Sequence, residues 1–389
     1  MKKFFSVILV SALGALVVAA PSFSGVFDSK LSLGAGAGDG TPEFLWGLEE
    51  YLNLRMKASL GDRVTFNGAF NVAAAGGMYA AALGAVQTPA AQALSRNYSA
   101  SIELERLYFR INTDRADIEA GLMRLAFGYG LAWSPMDFLN PKNPLVSDAR
   151  PRAALAASVT AYPTETMKVQ AFFAGPQNPF DFDGGGIRLG AMAENHWDAL
   201  SLQGIYAGEM PREKTASFPG SQYGVHRAGL SVKADLKVTL IGEALYTWNT
   251  GVTTGVDGLS ASLGGDYSFL DGDVYVLAEY LYSGEHSQTA LSAENPAGFT
   301  GRHYLFASGA YLFDDYTSLT VGLAANCSDC SFTPIVTFQT DFFQGVTFIA
   351  AARAPLDRAA SGDQSLRGEL GADNSGVKFL ADVTVRVKF

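Results

Sequence analysis

The sequence predicts an all-β protein: a closed, antiparallel transmembrane β-barrel of about eighteen strands, with sixteen to eighteen as the range. Three observations predict it. Stretches of about ten residues alternate apolar with polar or small side chains, the period of a strand with two unlike faces. The connections between these stretches alternate in length. The composition is 48% hydrophobic and 12% aromatic with 42 glycines, yet only 17% charged, against roughly 25% in an average soluble protein. Disorder needs low hydrophobicity and high charge, and a disulfide-built domain needs more than two cysteines. Past the first twenty positions no apolar run reaches the length of about 18 residues that a membrane helix requires. A formal charge of −10 argues against nucleic acid as a partner.

The chain opens with Lys2 and Lys3, then an apolar run from Phe4 to Ala20, then Ser22, Phe23 and Ser24 as a small-x-small cleavage site. Residues 1–24 therefore read as a secretory signal and 25–389 as the barrel domain. No cysteine stands at the expected mature end for lipid attachment. A weak first strand lies near Phe27–Gly36. In the second, Trp46, Leu48, Leu52, Leu54 and Met56 alternate with Glu49, Asn53, Arg55 and Lys57. In the third, Val64, Phe66, Phe70 and Val72 alternate with Arg63, Thr65, Asn67 and Asn71. Further on, Val274, Val276, Ala278, Tyr280 and Tyr282 oppose Asp273 and Glu279. The last strand sets Val377, Phe379, Ala381, Val383, Val385, Val387 and Phe389 against Lys378, Leu380, Asp382, Thr384, Arg386 and Lys388.

Tight turns are expected near Gly61–Asp62, Thr113–Arg115, Pro163–Thr166, Asn195–His196, Asp235–Leu236, Leu270–Gly272, Asp314–Asp315 and Phe342–Gly345. Between them fall connections at 37–43, 75–97, 128–152, 175–185, 208–222, 249–258, 284–300, 327–331 and 356–373. That order puts both chain ends on the tight-turn side, the arrangement of a barrel with short periplasmic turns and longer outside loops.

A soluble sandwich alternates too, so the distinction rests on three features. The strands run about nine to fifteen residues, suited to a tilted span of ~9–11. Tyr206, Tyr246, Trp248, Tyr280 and Tyr282 collect toward the loops, and Tyr162, Phe342 and Phe343 toward the turns, like an interfacial girdle. The terminal Phe389 on an alternating strand resembles the C-terminal targeting signal of bacterial outer-membrane proteins, which implies the barrel-assembly machinery as a partner. In hydrocarbon an open sheet edge is not tolerated, so the sheet must close. A barrel of this size is too wide for side chains to fill and leaves an aqueous channel.

One segment stands out: Gly121, Arg124, Gly128, Gly130, Trp133, Pro135, Asp137, Asn140 and Pro141, running from a strand into the 128–152 loop. Over about twenty residues it resembles a strand-to-loop stretch of porin-like outer-membrane proteins related to the phosphate-selective and alginate-export channels. The resemblance implies a Gram-negative outer-membrane location and a porin-like barrel. Two readings of the loop stand side by side. It folds rigidly for its own reasons, with Asp137 and Asn140 bonding nearby backbone as Asx turns. Alternatively it tucks into the pore, where Arg124, Asp137, Lys142, Asp148, Arg150 and Arg152 would set a transverse field at the constriction.

Further charges fall in the inward phase: Arg106, Arg110, Arg188, Arg227, Glu243, Glu279 and Arg353, together with Arg55, Arg63, Arg386, Glu103 and Glu119. The phase slips by one near Glu105–Arg106, which predicts a bulge. These charges either pair with one another to keep the interior wet or form an arginine track for anions. Cys327 and Cys330 make a C-x-x-C in an outside loop, where an oxidising compartment favours a local disulfide. The four histidines show no metal spacing.

The function expected is passive diffusion of small hydrophilic solutes, without cofactor or enzymatic reaction. The partners implied are outer-membrane lipid, the assembly machinery and further copies of the chain. Competing readings are a surface adhesin or structural barrel with a plugged lumen, and a barrel hydrolase using His286, Ser287 and His303 with Glu285 and Glu294 near the outer rim. No G-x-S-x-G spacing supports the hydrolase.

Overall fold

The computed structural model describes residues 21–38, 41–79, 98–140, 153–175, 186–210, 224–249, 258–284, 301–356, 369–370 and 377–389. The first nine strands are β1 (Ser22–Gly38), β2 (Thr41–Leu60), β3 (Val64–Gly77), β4 (Tyr98–Asn112), β5 (Ala116–Met123), β6 (Ala154–Ala161), β7 (Met167–Ala174), β8 (Arg188–Trp197) and β9 (Leu200–Glu209). The remainder are β10 (Val225–Asp235), β11 (Thr239–Asn249), β12 (Leu259–Phe269), β13 (Val274–Ser283), β14 (His303–Leu312), β15 (Thr317–Asn326), β16 (Ser331–Phe343), β17 (Val346–Arg353) and β18 (Val377–Lys388). Each strand pairs antiparallel with its neighbours in sequence, and β1 pairs with β18, so the eighteen-stranded sheet closes on itself.

The closing seam runs from Val26 opposite Lys388 to Gly36 opposite Val377. Arg386 grips the Asp28 carboxylate with Nε at 2.8 Å and a terminal nitrogen at 2.9 Å, a bidentate geometry that adds direction as well as attraction. Below it the Gly25 N–H donates to the Phe389 carbonyl at 2.7 Å, and the Phe389 N–H donates back at 3.1 Å. Both ends of the barrel wall therefore meet at the tight-turn rim.

The expected strand count and sidedness hold, and the boundaries move. β1 and β2, at 17 and 20 residues, are longer than expected because their ladder continues to Gly38 opposite Thr41. Ser22, Phe23 and Ser24 pair with Lys57, Met56 and Arg55 of β2 only, outside the seam with β18. Asn195 and His196 are not in a turn: they pair with Leu202 and Ser201, and the chain reverses at Asp198–Ala199, where Asp198 takes φ 42°. Phe342 and Phe343 belong to β16, and the reversal falls at Gln344–Gly345. Arg63 sits in the β2–β3 turn beside Asp114 at 3.5 Å, rather than in the inward phase. At Asn195–His196 and Phe343 ladder pairing carries on through residues whose side chains alone suggested a turn, whereas at Arg63 the ladder has already ended with Leu60 opposite Val64.

The bulge lies where the phase slip put it. Ala69 pairs with Arg106 and Phe70 with Leu104, so Glu105 is the extra residue. Its carboxylate turns inward, where Asn53 Nδ2 donates to it at 2.6 Å.

The two faces differ as the alternation requires. Leu31, Leu54, Ile102, Val159, Leu189, Leu230, Leu263, Val321 and Val383 are all exposed on the outside. Tyr206, Tyr246, Tyr280, Tyr162, Phe342 and Phe343 are exposed toward the strand ends. That surface suits acyl chains rather than water. Ser32, Asn53, Asn71, Glu194, Gln203, Ser231, Glu243, Ser262, Glu279 and Asn326 are buried on the inside.

Candidate functional site: the inserted segment

A row of directly paired inward residues crosses ten strands. It runs Lys168, Glu194, Gln203, Ser231, Glu243, Ser262, Leu281, Tyr304, Asn326 and Ser331, from β7 to β16. Direct cross-strand neighbours share a face, so these side chains form one inner belt.

The chain after β5 lays itself along that belt. Gly128 donates its N–H to Gln203 Oε1 at 2.6 Å. The Glu243 carboxylate accepts from the N–H of Tyr129, of Gly130 at 2.7 Å and of Met136 at 3.3 Å, and from the Ser134 hydroxyl at 3.0 Å. Glu279 accepts from the N–H of Leu131 at 3.1 Å, of Ala132, and of Trp133 at 3.1 Å. Six consecutive amides from Gly128 to Trp133 thus point at wall side chains. Such a run of N–H groups forms a concave anion seat, and here the anions are the protein's own carboxylates. The Tyr129 hydroxyl donates to Glu194 at 2.8 Å. Burial first, and that bond second, hold the Tyr129 phenol well above its ordinary pKa, so it remains a donor.

The segment spans the barrel. It leaves β5 and reaches β14, nine places on around an eighteen-strand circle, where Trp133 packs on Tyr304 with ring centroids 5.8 Å apart. Its apolar side chains press on the wall between. Leu125, Phe127, Met136 and Leu139 cluster with Met123, Ala156, Phe172, Met192, Ile205 and Leu245. Backbone geometry requires the two glycines: Gly128 has φ 81°, and a Cβ there would overlap the Glu243 carboxylate. A Cβ on Gly130 would overlap the Trp133 carbonyl.

The candidate constriction residues divide. Asp137 is 1% exposed with Arg124 at 3.8 Å, so Asp137 stiffens the segment's base rather than facing open bore, while the Arg124 side chain stays 31% exposed. Asn140 donates from Nδ2 to the Leu125 carbonyl at 2.8 Å and folds the segment back on itself. Lys142, Asp148, Arg150 and Arg152 lie outside the described residues.

The candidate lining residues face inward, and their partners are now identified. Arg106 pairs with Glu105 at 2.8 Å and Arg110 with Asp117 at 2.7 Å. Arg188 and Arg227 share Glu209 at 3.1 and 3.0 Å, which leaves one positive charge in excess on that wall. Arg227 also lies 5.3 Å from the Phe138 ring centroid, tying the pair to the segment. Arg353 faces inward opposite Ile335 and Leu380. Glu243 and Glu279 face inward yet are buried beneath the segment, so they anchor it instead of meeting solvent.

Two further contacts narrow the interior. The Tyr79 hydroxyl reaches Ser32 at 2.7 Å on the β1 wall. Glu369, between β17 and β18, bonds the Tyr304 hydroxyl and accepts from Asn326 Nδ2 at 2.9 Å.

Cys327 and Cys330 are exposed free thiols in the β15–β16 connection. His303 sits on the outer face with Nδ1 2.6 Å from the Tyr280 hydroxyl, while Glu285, His286, Ser287 and Glu294 lie outside the described residues. Among the described residues no cluster of metal-ligating side chains occurs. The alternation could find Gln203, Ser231 and Glu194 as inward polar residues. No local signal links them to a segment 65 to 102 positions earlier.

No protein-family model matches the sequence, and no curated protein matches it. Solved structures do. Acinetobacter baumannii OccAB4 is 11% identical with a TM-score of 0.54, over 95% of this chain and 98% of that one. A structure described as "Asymmetric conductivity of engineered proteins" is 15% identical with a TM-score of 0.50, over 95% and 100%. A mutant of Rh. blastica porin is 14% identical with a TM-score of 0.48, over 95% and 100%. At these identities the likeness is one of fold: over 95% of its length the chain shares the porin-like barrel of OccAB4.

Proposed function

We propose that this protein is a channel of the Gram-negative outer membrane through which small hydrophilic solutes diffuse passively, with residues 124–140 as its constriction. The observation that carries the reading is the segment's course from β5 to the opposite strand β14, fixed by backbone bonds to Glu243 and Glu279. A barrel with an apolar outside and a polar inside holds water in its bore. A segment laid along half of that bore sets the width solutes meet. The motif's resemblance to the phosphate-selective and alginate-export group supports the same assignment for the segment, and the conductivity named for one structural neighbour supports a channel.

Sorting by charge in this reading falls to the unequal Arg188–Glu209–Arg227 group and to Lys142, Asp148, Arg150 and Arg152 beyond the segment. The assembly machinery would read the final strand ending at Phe389. No reaction and no cofactor enters the mechanism.

The test is single-channel recording of the purified protein in a planar bilayer. Stepwise openings of uniform size are expected. A bilayer that stays sealed at every voltage would contradict the channel and favour the plugged structural barrel.

A further inference from the structure

The connection between β15 and β16 is a turn of four residues, Cys327 to Cys330, closed by Asn326 paired directly with Ser331. Its polar side chains are engaged. Ser328 Oγ accepts the N–H of Arg302 at 3.0 Å and of His303 at 3.1 Å, and the Ser328 N–H donates to Asn326 Oδ1 at 2.9 Å. Asp329 Oδ1 accepts the N–H and the hydroxyl of Ser331 at 2.9 and 2.6 Å, and Asp329 Oδ2 accepts from Asn326 Nδ2 at 3.0 Å. Among the described residues the two thiols take no part in this network, and both are free and exposed. Cys330 also stands at φ 61°, a left-handed backbone that Gly or Asn adopts at lower cost. Neither the backbone nor the network asks for a cysteine at either place.

The same turn holds a distant piece of chain. Asp329 Oδ2 accepts the Glu369 N–H at 2.7 Å, and Ser331 Oγ accepts the Leu370 N–H at 3.0 Å. The Glu369 carboxylate accepts from Asn326 Nδ2 at 2.9 Å and from the Tyr304 hydroxyl, whose ring meets Trp133 of the inserted segment. Asp329 lies inside the turn, and Asn326 and Ser331 flank it. The shape of the turn therefore sets how well these docking groups converge.

We propose that Cys327 and Cys330 are a dithiol that closes to a disulfide, and that the closed form clamps Glu369 and Leu370 to the wall through Asp329 and Ser331. The first and last residues of a four-residue turn have Cα atoms within about 7 Å, and a disulfide spans about 4.4–6.8 Å. The oxidant is an external disulfide of an oxidising compartment, such as oxidised glutathione. One cysteine thiolate attacks it, giving a mixed disulfide and one released thiol. The other thiolate then displaces the second thiol and forms the Cys327–Cys330 bond. Two electrons pass to the sulfurs of the oxidant, and the two cysteine protons end on its thiols. A fixed turn holds its acceptors in place beforehand, which favours the docked state. An exposed disulfide is open to reduction, so docking follows the redox state of the surroundings. The inference is independent of the channel reading and is tested without passing current.

The test uses the folded full chain in detergent, treated with oxidised glutathione or with dithiothreitol and then with a glutamate-specific protease. Mass spectrometry counts the alkylatable thiols and follows the fragment that begins at Leu370. Oxidation is expected to protect both thiols and to slow cleavage after Glu369 roughly threefold or more. Cys327→Ser/Cys330→Ser should be cut at the reduced rate in both conditions. Asp329→Ala should still form the disulfide yet be cut quickly in both, because the link from the turn to Glu369 is gone. Heat-modifiable migration shows that each variant is folded, and Ser331→Ala, which removes the acceptor of the Leu370 N–H, repeats the test should Asp329→Ala not fold. Thiols that stay alkylatable, glutathione adducts in place of an internal bond, a wild-type cleavage rate indifferent to oxidation, or a redox difference undiminished without Asp329 or Ser331 would each overturn the proposal.

Discussion

At the scale of single residues, the interior is organised by two glutamates that act on backbone rather than on solvent. Removing Glu243 would take the carboxylate acceptor from three amide N–H groups and from the Ser134 and Ser231 hydroxyls together, leaving the Tyr129 N–H with Ser231 Oγ and the Ser134 hydroxyl with the Phe127 carbonyl. A buried donor left without its acceptor costs about 1–3 kcal/mol. Glu243→Ala is accordingly expected to destabilise the segment by on the order of 3 kcal/mol, read as protease cleavage between residues 124 and 140 in an otherwise folded barrel. Resistance equal to wild type would mean that the apolar contacts hold the segment alone. Gly130→Ala should open the same cleavage, because its Cβ collides with the Trp133 carbonyl whatever the carboxylate does. Both glutamates were legible in the sequence as inward-facing, since strand alternation reports face. Their partners were not, because a backbone amide leaves no mark on side-chain pattern.

At the scale of elements, alternation located all eighteen strands, and turn-forming residues placed most reversals. The exceptions are instructive. Asn195–His196 looks like a turn, yet both residues pair across the hairpin, and the reversal falls at Asp198, an Asp able to adopt positive φ. The seam between β1 and β18 joins residues some 360 positions apart: closure was expected because hydrocarbon tolerates no open edge, while the register of Val26 with Lys388 leaves no local mark in the sequence. Arg386 with Asp28 is its one bidentate ion pair among the described residues. Arg386→Ala is expected to lower the temperature at which heat-modifiable migration is lost by a few degrees, with no change in the folded band at room temperature. An unaltered transition would assign the seam's strength to its backbone ladder. A cut after Ser24, as the small-x-small site suggests, would leave that ladder intact, because Ser22–Ser24 pair with β2 alone. The mass of the mature chain tests it: a chain beginning at Gly25 is expected, and a mass retaining Ser22–Ser24 would place the cut upstream.

At the scale of the whole molecule, an apolar outer surface and a belted interior make one object: a wall with a bore that one internal segment narrows. Among the described residues Arg188 and Arg227 share Glu209, while Arg110 bridges both Asp117 and Glu119. In the proposed channel selectivity should respond to charges added or removed in the sequence that follows the segment. Neutralising Arg150 and Arg152 together is expected to shift the reversal potential toward cation preference under a salt gradient. An unchanged potential would exclude both from the path of ions.

The most direct test compares unit conductance of wild type with the Glu243→Ala/Glu279→Ala double variant in planar bilayers. With its two anchors gone, the segment should leave the wall, and the account predicts conductance steps altered in size and much less uniform, from a barrel that still migrates as folded. Identical, equally uniform steps from both proteins would contradict the claim that residues 124–140 set the width of the channel.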